Sequence, residues 1–450
     1  MIYNIILFFL FGKIMVNILL ASNKHDCEHL LGQFLDESHY DVLIEEDTDC
    51  YDVTGVGSDG VDESRIAFKF RKNFFTQKEQ EQAYIGLRDA ATQSQNRGMA
   101  AGPKGEKCLQ REWVTEFQYQ VLKDLMSIDS IEMYDVKDSI ELIRRRTEGK
   151  ESSRGLVWLA SEVEKHKFSF DAWIKKIVEF DDVKKINQEA YSVMNTFVSD
   201  TTYANPVFSG IAGWFDRYPR IPYGRATSYT EHHYDKFEKS FPFLQSLNKG
   251  FKKLLPKRWA AQKAAIDKID SRFVVPGTVF TTITVNKTFR TAAHRDAGDF
   301  SDGLSNLLVL SNDGNFTGGY LIFPEYRIAV NVRPGDLLLV NNHEIIHGNT
   351  EIVPGSKESE RISLVCYLRE KMLDLGSYEY ENLRYKFVED RRKNKEHKLW
   401  NKKWNGISPG MWDSQEWYDY IISNGDRKML ADYHPKAIES KQSDLTHLFE

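Results

Sequence analysis

From residue 273 to 369 the chain breaks into short apolar runs: "TVFTTITV" (278–285), "NLLVL" (306–310), "GYLIF" (319–323), "IAVNV" (328–332), "DLLLV" (336–340) and "ISLVCYL" (362–368). Turn-forming residues separate most of them: Asp302-Gly303, Asn312-Asp313-Gly314, Gly318-Gly319 and Pro334-Gly335. Many short strands at close, regular spacing predict a sandwich or jelly roll rather than a parallel α/β sheet. Upstream, over 66–270, apolar positions recur mostly at helical spacing, as in "TEFQYQVLKDLMSI" and "FSFDAWIKKIVEFDDVKKINQEAYSVMNTFV". Two loops, 94–107 and 217–230, interrupt that region. Downstream of Glu370 the chain turns charged and aromatic, with helices expected around Trp404, Trp412 and Trp417.

The predicted organisation therefore has four parts. Residues 1–65 form an acidic, turn-rich N-terminal region, 66–270 a mainly helical region packing on the core, 271–370 the β-rich core, and 371–450 a basic, aromatic helical region. The fold class is α+β, with a jelly-roll core flanked by helical segments. At 450 residues the chain exceeds what one hydrophobic core comfortably serves.

A net charge of −6 conceals an uneven distribution. Residues 36–63 hold eleven Asp/Glu and no Lys or Arg, whereas 384–403 hold nine Lys/Arg. A second cationic stretch, "KGFKKLLPKRWAAQK" (249–263), mixes Lys and Arg with aromatic residues. Such runs are ordinarily solvated helix faces, and in a nucleic-acid enzyme they would hold phosphates. The four cysteines form no CxxC, so neither a zinc ribbon nor a disulfide framework is expected and the thiols are read as reduced. The apolar N-terminus is interrupted by Lys13 and lacks a basic leader, making a poor signal peptide and a short membrane span. A start at Met15 would remove most of it. The expected location is cytoplasmic or DNA-associated inside the cell, not secreted, with no membrane partner.

The candidate chemistry begins in "TAAHRDAGDF" (291–300). In extended backbone residues i and i+2 face the same way, so His294 and Asp296 can present an imidazole and a carboxylate to one point. A second HxD, His233-Tyr234-Asp235, lies in a helix-like stretch without suitable partners downstream and is read as surface or structural. A third ligand comes 51 residues after Asp296, at His347 in "VNNHEIIHGN". His347 is preferred over His343 for the turn-forming Gly348 that follows it and for its spacing to the next motif. Two histidines and one carboxylate with open positions are the arrangement of non-heme Fe(II) oxygenases. Fourteen residues after His347, Arg361 and Ser363 share one face of an alternating strand. A planar guanidinium beside a hydroxyl suits the distal carboxylate of 2-oxoglutarate. Asp299, Asn286 and Asn349 flank the site as candidates to orient a ligand or reach substrate, with turn or strand-end capping as the alternative.

Taken together, "FTTITVNKTFRTAAHRDAGDF", "GGYLIFPEYRIAVNVRPGDLLLVNNHEIIHGN" and "ERISLVCYLRE" resemble the TET/JBP branch of the Fe(II)/2-oxoglutarate dioxygenases, densely from Thr278 to Glu370 and more weakly through "YGRATSYT" and "PKRWAAQ". The resemblance is to a phage- or algal-like member, since the cysteine-rich module of the animal enzymes is missing. It implies a double-stranded β-helix over 271–370, Fe(II) on His294, Asp296 and His347, the 2-oxoglutarate carboxylate on Arg361, and Arg225 as a further residue at the cosubstrate. It also implies O2 as co-reactant, ascorbate as a stimulant, and hydroxylation of a pyrimidine 5-methyl group in DNA. Both 5-methylcytosine and thymine present such a methyl, so both stand as substrates. A base in duplex DNA must be flipped out to reach a buried metal. Backbone and stacking contacts are expected from Lys252, Lys253, Lys257, Arg258 and Trp259, and from Lys398, Trp400, Lys402, Lys403 and Trp404. The competing readings are a dioxygenase of the same fold acting on a protein side chain or small molecule, and a non-catalytic DNA-binding scaffold with a relic jelly roll.

Overall fold

The computed structural model describes residues 9–11, 14–55, 62–91, 94–95, 97–103, 207–296, 298–425 and 427–432. The chain divides into two compact units, residues 1–95 with 207–450, and residues 96–206. In the second unit the described part is 97–103, which holds a 3-10 turn at Gly98–Ala101. The helical stretches predicted at 115–128 and 168–198 lie outside the described residues.

In the first unit, strands β1 (Phe9–Phe11), β2 (Ile14–Ala21), β3 (Val42–Ile44), β4 (Thr48–Asp52), β5 (Ile66–Arg71) and β6 (Ser94–Gln95) precede β7 (Val207–Phe215) and β8 (Arg225–Ala226). The predicted β-rich region then supplies β9 (Thr282–Lys287), β10 (Ser305–Ser311), β11 (Phe316–Gly318), β12 (Leu321–Phe323), β13 (Ile328–Val330) and β14 (Leu337–Val340). It closes with β15 (Gly348–Asn349), β16 (Ile352–Pro354) and β17 (Arg361–Tyr367). The helices are α1 (Gln77–Leu87), α2 (Ser228–His232), α3 (Tyr234–Lys239), α4 (Phe241–Leu254), α5 (Pro256–Ile266), α6 (Tyr378–Lys393) and α7 (Gln415–Asn424).

One large sheet runs β1-β2-β4-β5-β14-β10-β17-β9-β7-β6, and a smaller one runs β15-β12-β13-β3. Both faces of the central strands β14, β10 and β17 are buried, which is why they read as apolar runs instead of strict alternation. Along β17, Ile362, Leu364 and Cys366 enter a core cluster shared with Phe243, Leu244, Leu247 and Phe251 of α4. Leu307, Val309, Leu338 and Val340 point the other way, packing against Leu321, Phe323, Ile328 and Val330 of the small sheet. Helix α4 earns its place through a stripe at Phe243, Leu244, Leu247, Gly250 and Phe251, spaced for one face.

The structure adds two things to the sequence reading. Within 66–270 the described residues hold strands beside helices α1–α5: β5 and β7 belong to the large sheet, β7 pairing with β9 from Phe208↔Lys287 to Gly213↔Thr282. Gly210 and Gly213 explain β7, because a Cβ at either would meet the carbonyl oxygen of Ala90 at 1.7 Å or of Thr281 at 2.3 Å. Likewise, 1–65 is more than an acidic turn region. Its β2 pairs in parallel with β4, and β3 in parallel with β13, so the segment extends both sheets. The apolar N-terminal run thus contributes a strand, with Leu19 and Leu20 buried. Among the described residues no helix is long and apolar enough to cross a membrane.

Candidate metal centre

After β9 the chain turns at Thr288, whose N–H donates to the Arg361 carbonyl at 2.7 Å, and then runs extended alongside β15. His294 and His347 face each other across this pairing and exchange both backbone hydrogen bonds at 2.9 Å. Gly348 permits the approach: a Cβ there would lie 3.0 Å from the Ala292–Ala293 backbone. It is therefore a close-contact strand glycine and not the turn residue expected from the sequence.

Asp296, two residues on from His294, joins the pair. Its Oδ1 lies 3.4 Å from His294 Nε2 and its Oδ2 3.8 Å from His347 Nε2. The three ligand atoms all fall within 4.8 Å of one another, a group able to hold a metal ion. Each imidazole is oriented by its own strand: His294 Nδ1 sits 2.8 Å from the Ala292 carbonyl and His347 Nδ1 3.0 Å from that of Ile345. With Nδ1 donating, both Nε2 lone pairs turn inward. Asn342 Nδ2 donates to Asp296 Oδ2 at 3.1 Å, and the Asp296 N–H donates to the Asn342 carbonyl at 3.0 Å. His343 stays outside the group, with Nδ1 3.2 Å from the Asp296 carbonyl.

The electrostatics suit metal ligation. Burial, aided by the charge on His294, pushes His347 down to about 4. At His294 burial alone would lower the value, but the hydrogen bond and charge of Asp296 outweigh it and hold the imidazole above its ordinary range. Burial works against Asp296 as a carboxylate, yet the two histidines keep it below the usual range. Asp299 is buried, and burial followed by the Asp296 charge raises it well above the ordinary carboxylate value; Ser305 Oγ donates to it.

Arg361 opens β17 and is 5% exposed. One guanidinium nitrogen donates to the Gly319 carbonyl at 3.3 Å, while Nε is buried with no hydrogen-bond partner. Gly319, at φ +70°, brings its backbone to where a Cβ would lie 3.0 Å from that Nε. Burial, then the charge of Arg333, lowers Arg361 to about 10. A buried cation without a counter-ion among the described residues is a receptor for an anion. Ser363 lies two residues along, opposite Asn286 in the β9–β17 register, and Asn286 Oδ1 accepts from Ser209 Oγ at 2.5 Å.

Arg225 lies in a layer absent from the sequence reading. Its guanidinium stands over Phe215 at 5.3 Å and donates to the Asp216 carbonyl at 3.0 Å. Arg369 covers the same ring at 4.3 Å, pairs with the buried Asp216 carboxylate, and bridges backbone to backbone with Asp299. Asn349, by contrast, takes the capping alternative: its Oδ1 accepts from the Thr291 N–H at 2.9 Å and from the Thr291 hydroxyl. Asn342, Asp216, Arg369 and the buried Glu325 escaped sequence reading because nothing in their local pattern separates them from ordinary turn and strand-end polar residues.

The cationic stretches divide by exposure. Lys252, Lys253, Lys257, Lys398, Lys402 and Lys403 are exposed. Lys252 lies 4.5 Å over the Trp259 ring, whose indole N–H donates to Asn248 at 2.9 Å. Arg258 is committed to the fold, its guanidinium reaching the carbonyls of Glu63, Ser64 and Ser301 at 3.3–3.4 Å. Trp400 and Trp404 are half-buried, Trp404 against the α6–α7 cluster.

Residues 211–370 match the Tet/JBP family model, described as the oxygenase domain of the 2OGFeDO superfamily. This part of the chain is similar to the Tet/JBP oxygenases. The Tet/JBP segment takes in most of β7 and everything through β17, and so holds the triad, Arg361, Ser363, Arg225 and Arg369. Residues 252–259 fall inside it and 398–404 outside. Among curated proteins, thymine dioxygenase JBP1 of Crithidia fasciculata is 37% identical over 38% of this chain and 21% of its own length. The bifunctional helicase and thymine dioxygenase JBP2 of Leishmania infantum is 39% identical over 36% of this chain and 15% of its own length. The chain thus spans about a fifth or less of the relatives it matches. A solved structure of NgTET1 in complex with 5mC DNA is 21% identical, covering 38% of this chain and 64% of that one at a TM-score of 0.32.

Proposed function

We propose that the protein is an Fe(II)- and 2-oxoglutarate-dependent dioxygenase that hydroxylates the 5-methyl group of a pyrimidine in DNA. The observation that carries this reading is the convergence of His294, Asp296 and His347 within a segment that matches the Tet/JBP model, which also holds an arginine buried without a counter-ion among the described residues. The strand order β9-β17-β10-β14, packed against β15-β12-β13, fits a double-stranded β-helix.

In this reading the imidazole nitrogens of His294 and His347 and the Asp296 carboxylate would hold Fe(II). With 2-oxoglutarate and O2 the metal would supply the oxidising chemistry, one oxygen atom going to the methyl group and the other to succinate, with loss of CO2. The chain's own residues do the rest. Asn342 fixes the Asp296 carboxylate, and the Ala292 and Ile345 carbonyls fix the imidazoles. Arg361 takes the distal carboxylate of 2-oxoglutarate, with Ser363 beside it, and Arg225 supports the cosubstrate side together with Arg369. Asp299, buried and raised, stands as a hydrogen-bonding group toward a flipped base, and Asn286 as a support for Ser363. Exposed Lys252, Lys253, Lys257, Lys398, Lys402 and Lys403 hold the DNA backbone.

The relatives are named thymine dioxygenases, which makes thymine the first base to test and 5-methylcytosine the second. The protein is incubated with Fe(II), ascorbate, 2-oxoglutarate and duplex DNA, methylated or not, and the nucleosides are measured by mass spectrometry. Addition of one oxygen to thymidine or 5-methyldeoxycytidine, lost in His294→Ala, is expected. Succinate formation that needs His294 but leaves both bases unchanged would move the substrate to proteins or small molecules.

A further inference from the structure

The two histidines of the centre are oriented by peptide groups that differ in what stands behind them. His294 Nδ1 bonds the Ala292 carbonyl, and the N–H of that same peptide, on Ala293, donates to the neutral carbonyl of Gln33 at 2.8 Å. His347 Nδ1 bonds the Ile345 carbonyl, and the N–H of that peptide, on Ile346, donates at 2.7 Å to a carboxylate, Glu325 Oε2. Glu325 is 4% exposed, in a 3-10 turn that follows β12. Its other oxygen faces Lys24 at 3.5 Å and Arg295 at 3.4 Å. Arg295 stands between His294 and Asp296 in sequence, and its Nε donates to the Glu344 carbonyl at 3.0 Å. One buried carboxylate is therefore tied to both ligand-bearing segments.

A carboxylate hydrogen-bonded to the outer nitrogen of a metal-bound histidine fixes the tautomer and raises the basicity of the ring. Hydrogen bonds in series polarise one another, so a peptide whose N–H is held by an anion has a more strongly accepting carbonyl. We propose that Glu325 is a positioning residue for the metal centre that acts through the Ile345–Ile346 peptide, holding His347 as the Nδ1–H tautomer with its Nε2 lone pair directed at the site. Among the described residues, the matching peptide behind His294 is backed by a neutral carbonyl. Through Arg295 the same carboxylate keeps the His294–Asp296 turn in register with residues 344–347. This inference rests on the metal-centre reading above.

The test uses the full chain, free of metal, titrated with Co(II) without oxygen and followed by visible absorption and calorimetry. Glu325→Gln preserves the shape and an acceptor for the Ile346 N–H but removes the charge. The expected result is a roughly ten- to hundredfold loss of Co(II) affinity and a displaced ligand-field band, with metal-free thermal stability close to wild type. A purely structural role would lower the melting temperature without moving the band of the bound ion. Wild-type affinity and an unmoved band in Glu325→Gln would overturn the inference and leave the metal centre standing. Absence of Co(II) binding by the wild-type protein would overturn both. Should the variant fail to fold, 15N-histidine NMR of the metal-free wild-type protein reads the same point: a proton on His347 Nδ1 supports the relay, and a proton on Nε2 overturns it.

Discussion

A guanidinium buried without a counter-ion is costly to maintain, and among the described residues Arg361 has none, its Nε unbonded at the start of β17. A bound dicarboxylate would remove that cost. Arg361→Ala should therefore weaken 2-oxoglutarate binding about a hundredfold and Arg361→Lys about tenfold, since lysine keeps the charge but not the fork. Calorimetric titration reads both values, and equal affinity across the three proteins would exclude Arg361 from the cosubstrate site. His347 carries a pH prediction for the metal-free protein. Its value in the fold is about 4, below the ordinary imidazole value of 6.5. The unfolded chain consequently binds the extra proton first. The stability tied to a neutral His347 is complete above about pH 6.5 and is lost as pH falls toward 4. Urea unfolding across that window should show a slope that shrinks in His347→Gln.

Among elements, the start of β17 is anchored by Glu360, one residue before Arg361. Its carboxylate takes Arg88 at 2.6 Å, Lys287 at 2.5 Å and the Tyr84 hydroxyl at 2.8 Å, joining α1, β9 and β17 at one point. The Arg88 hydrogen bonds, then those of Lys287 and Tyr84, overcome burial and bring Glu360 down to about 2. Glu360→Gln should cost about 1–3 kcal/mol in urea unfolding, because cations are left facing a neutral amide. It should also weaken 2-oxoglutarate binding by displacing Arg361. The contact between β15 and residues 291–294 is equally exacting. In Gly348→Ala the new methyl must push apart the backbones that bring His294 to His347. A loss of about 1–3 kcal/mol in stability is expected, with weaker Co(II) binding. Unchanged Co(II) affinity in this variant would show that the separation of these strands does not govern the triad.

At the scale of the molecule, the proposed DNA substrate raises the question of which cationic surface would hold it. Lys402 and Lys403 are exposed, whereas Arg258 is tied to three backbone carbonyls. Replacing both lysines with Ala should reduce the slope of log affinity against log salt by about two, close to one per lost phosphate contact. Arg258→Ala should instead lower stability by about 1–2 kcal/mol through its lost hydrogen bonds. A salt slope unchanged in the double variant would remove the 398–404 stretch from the interface.

Much of this protein could be read along the chain because its chemistry is local. Alternation places His294 and Asp296 on one side of an extended segment, and Arg361 with Ser363 on another, whatever surrounds them. Short apolar runs between turn residues likewise announced β9, β10, β12, β13, β14 and β17 to within a few residues. Gly348 was singled out correctly as special but for the wrong reason, since a close approach between strands leaves no local mark. The large sheet extends through β2, β4, β5 and β7, whose partners lie far away in sequence, and the pattern of one strand does not say which other strand will cover it. Asn342, Glu325, Arg369 and Asp216 were invisible for the same reason: each matters through a group brought near by folding. Sequence alone determined the kinds of candidate ligand and their spacing, because those depend on residue chemistry and backbone period. Only the tertiary structure decided which carbonyl, carboxylate or cation stands behind each ligand, because burial and hydrogen-bond pairing exist only once distant segments meet.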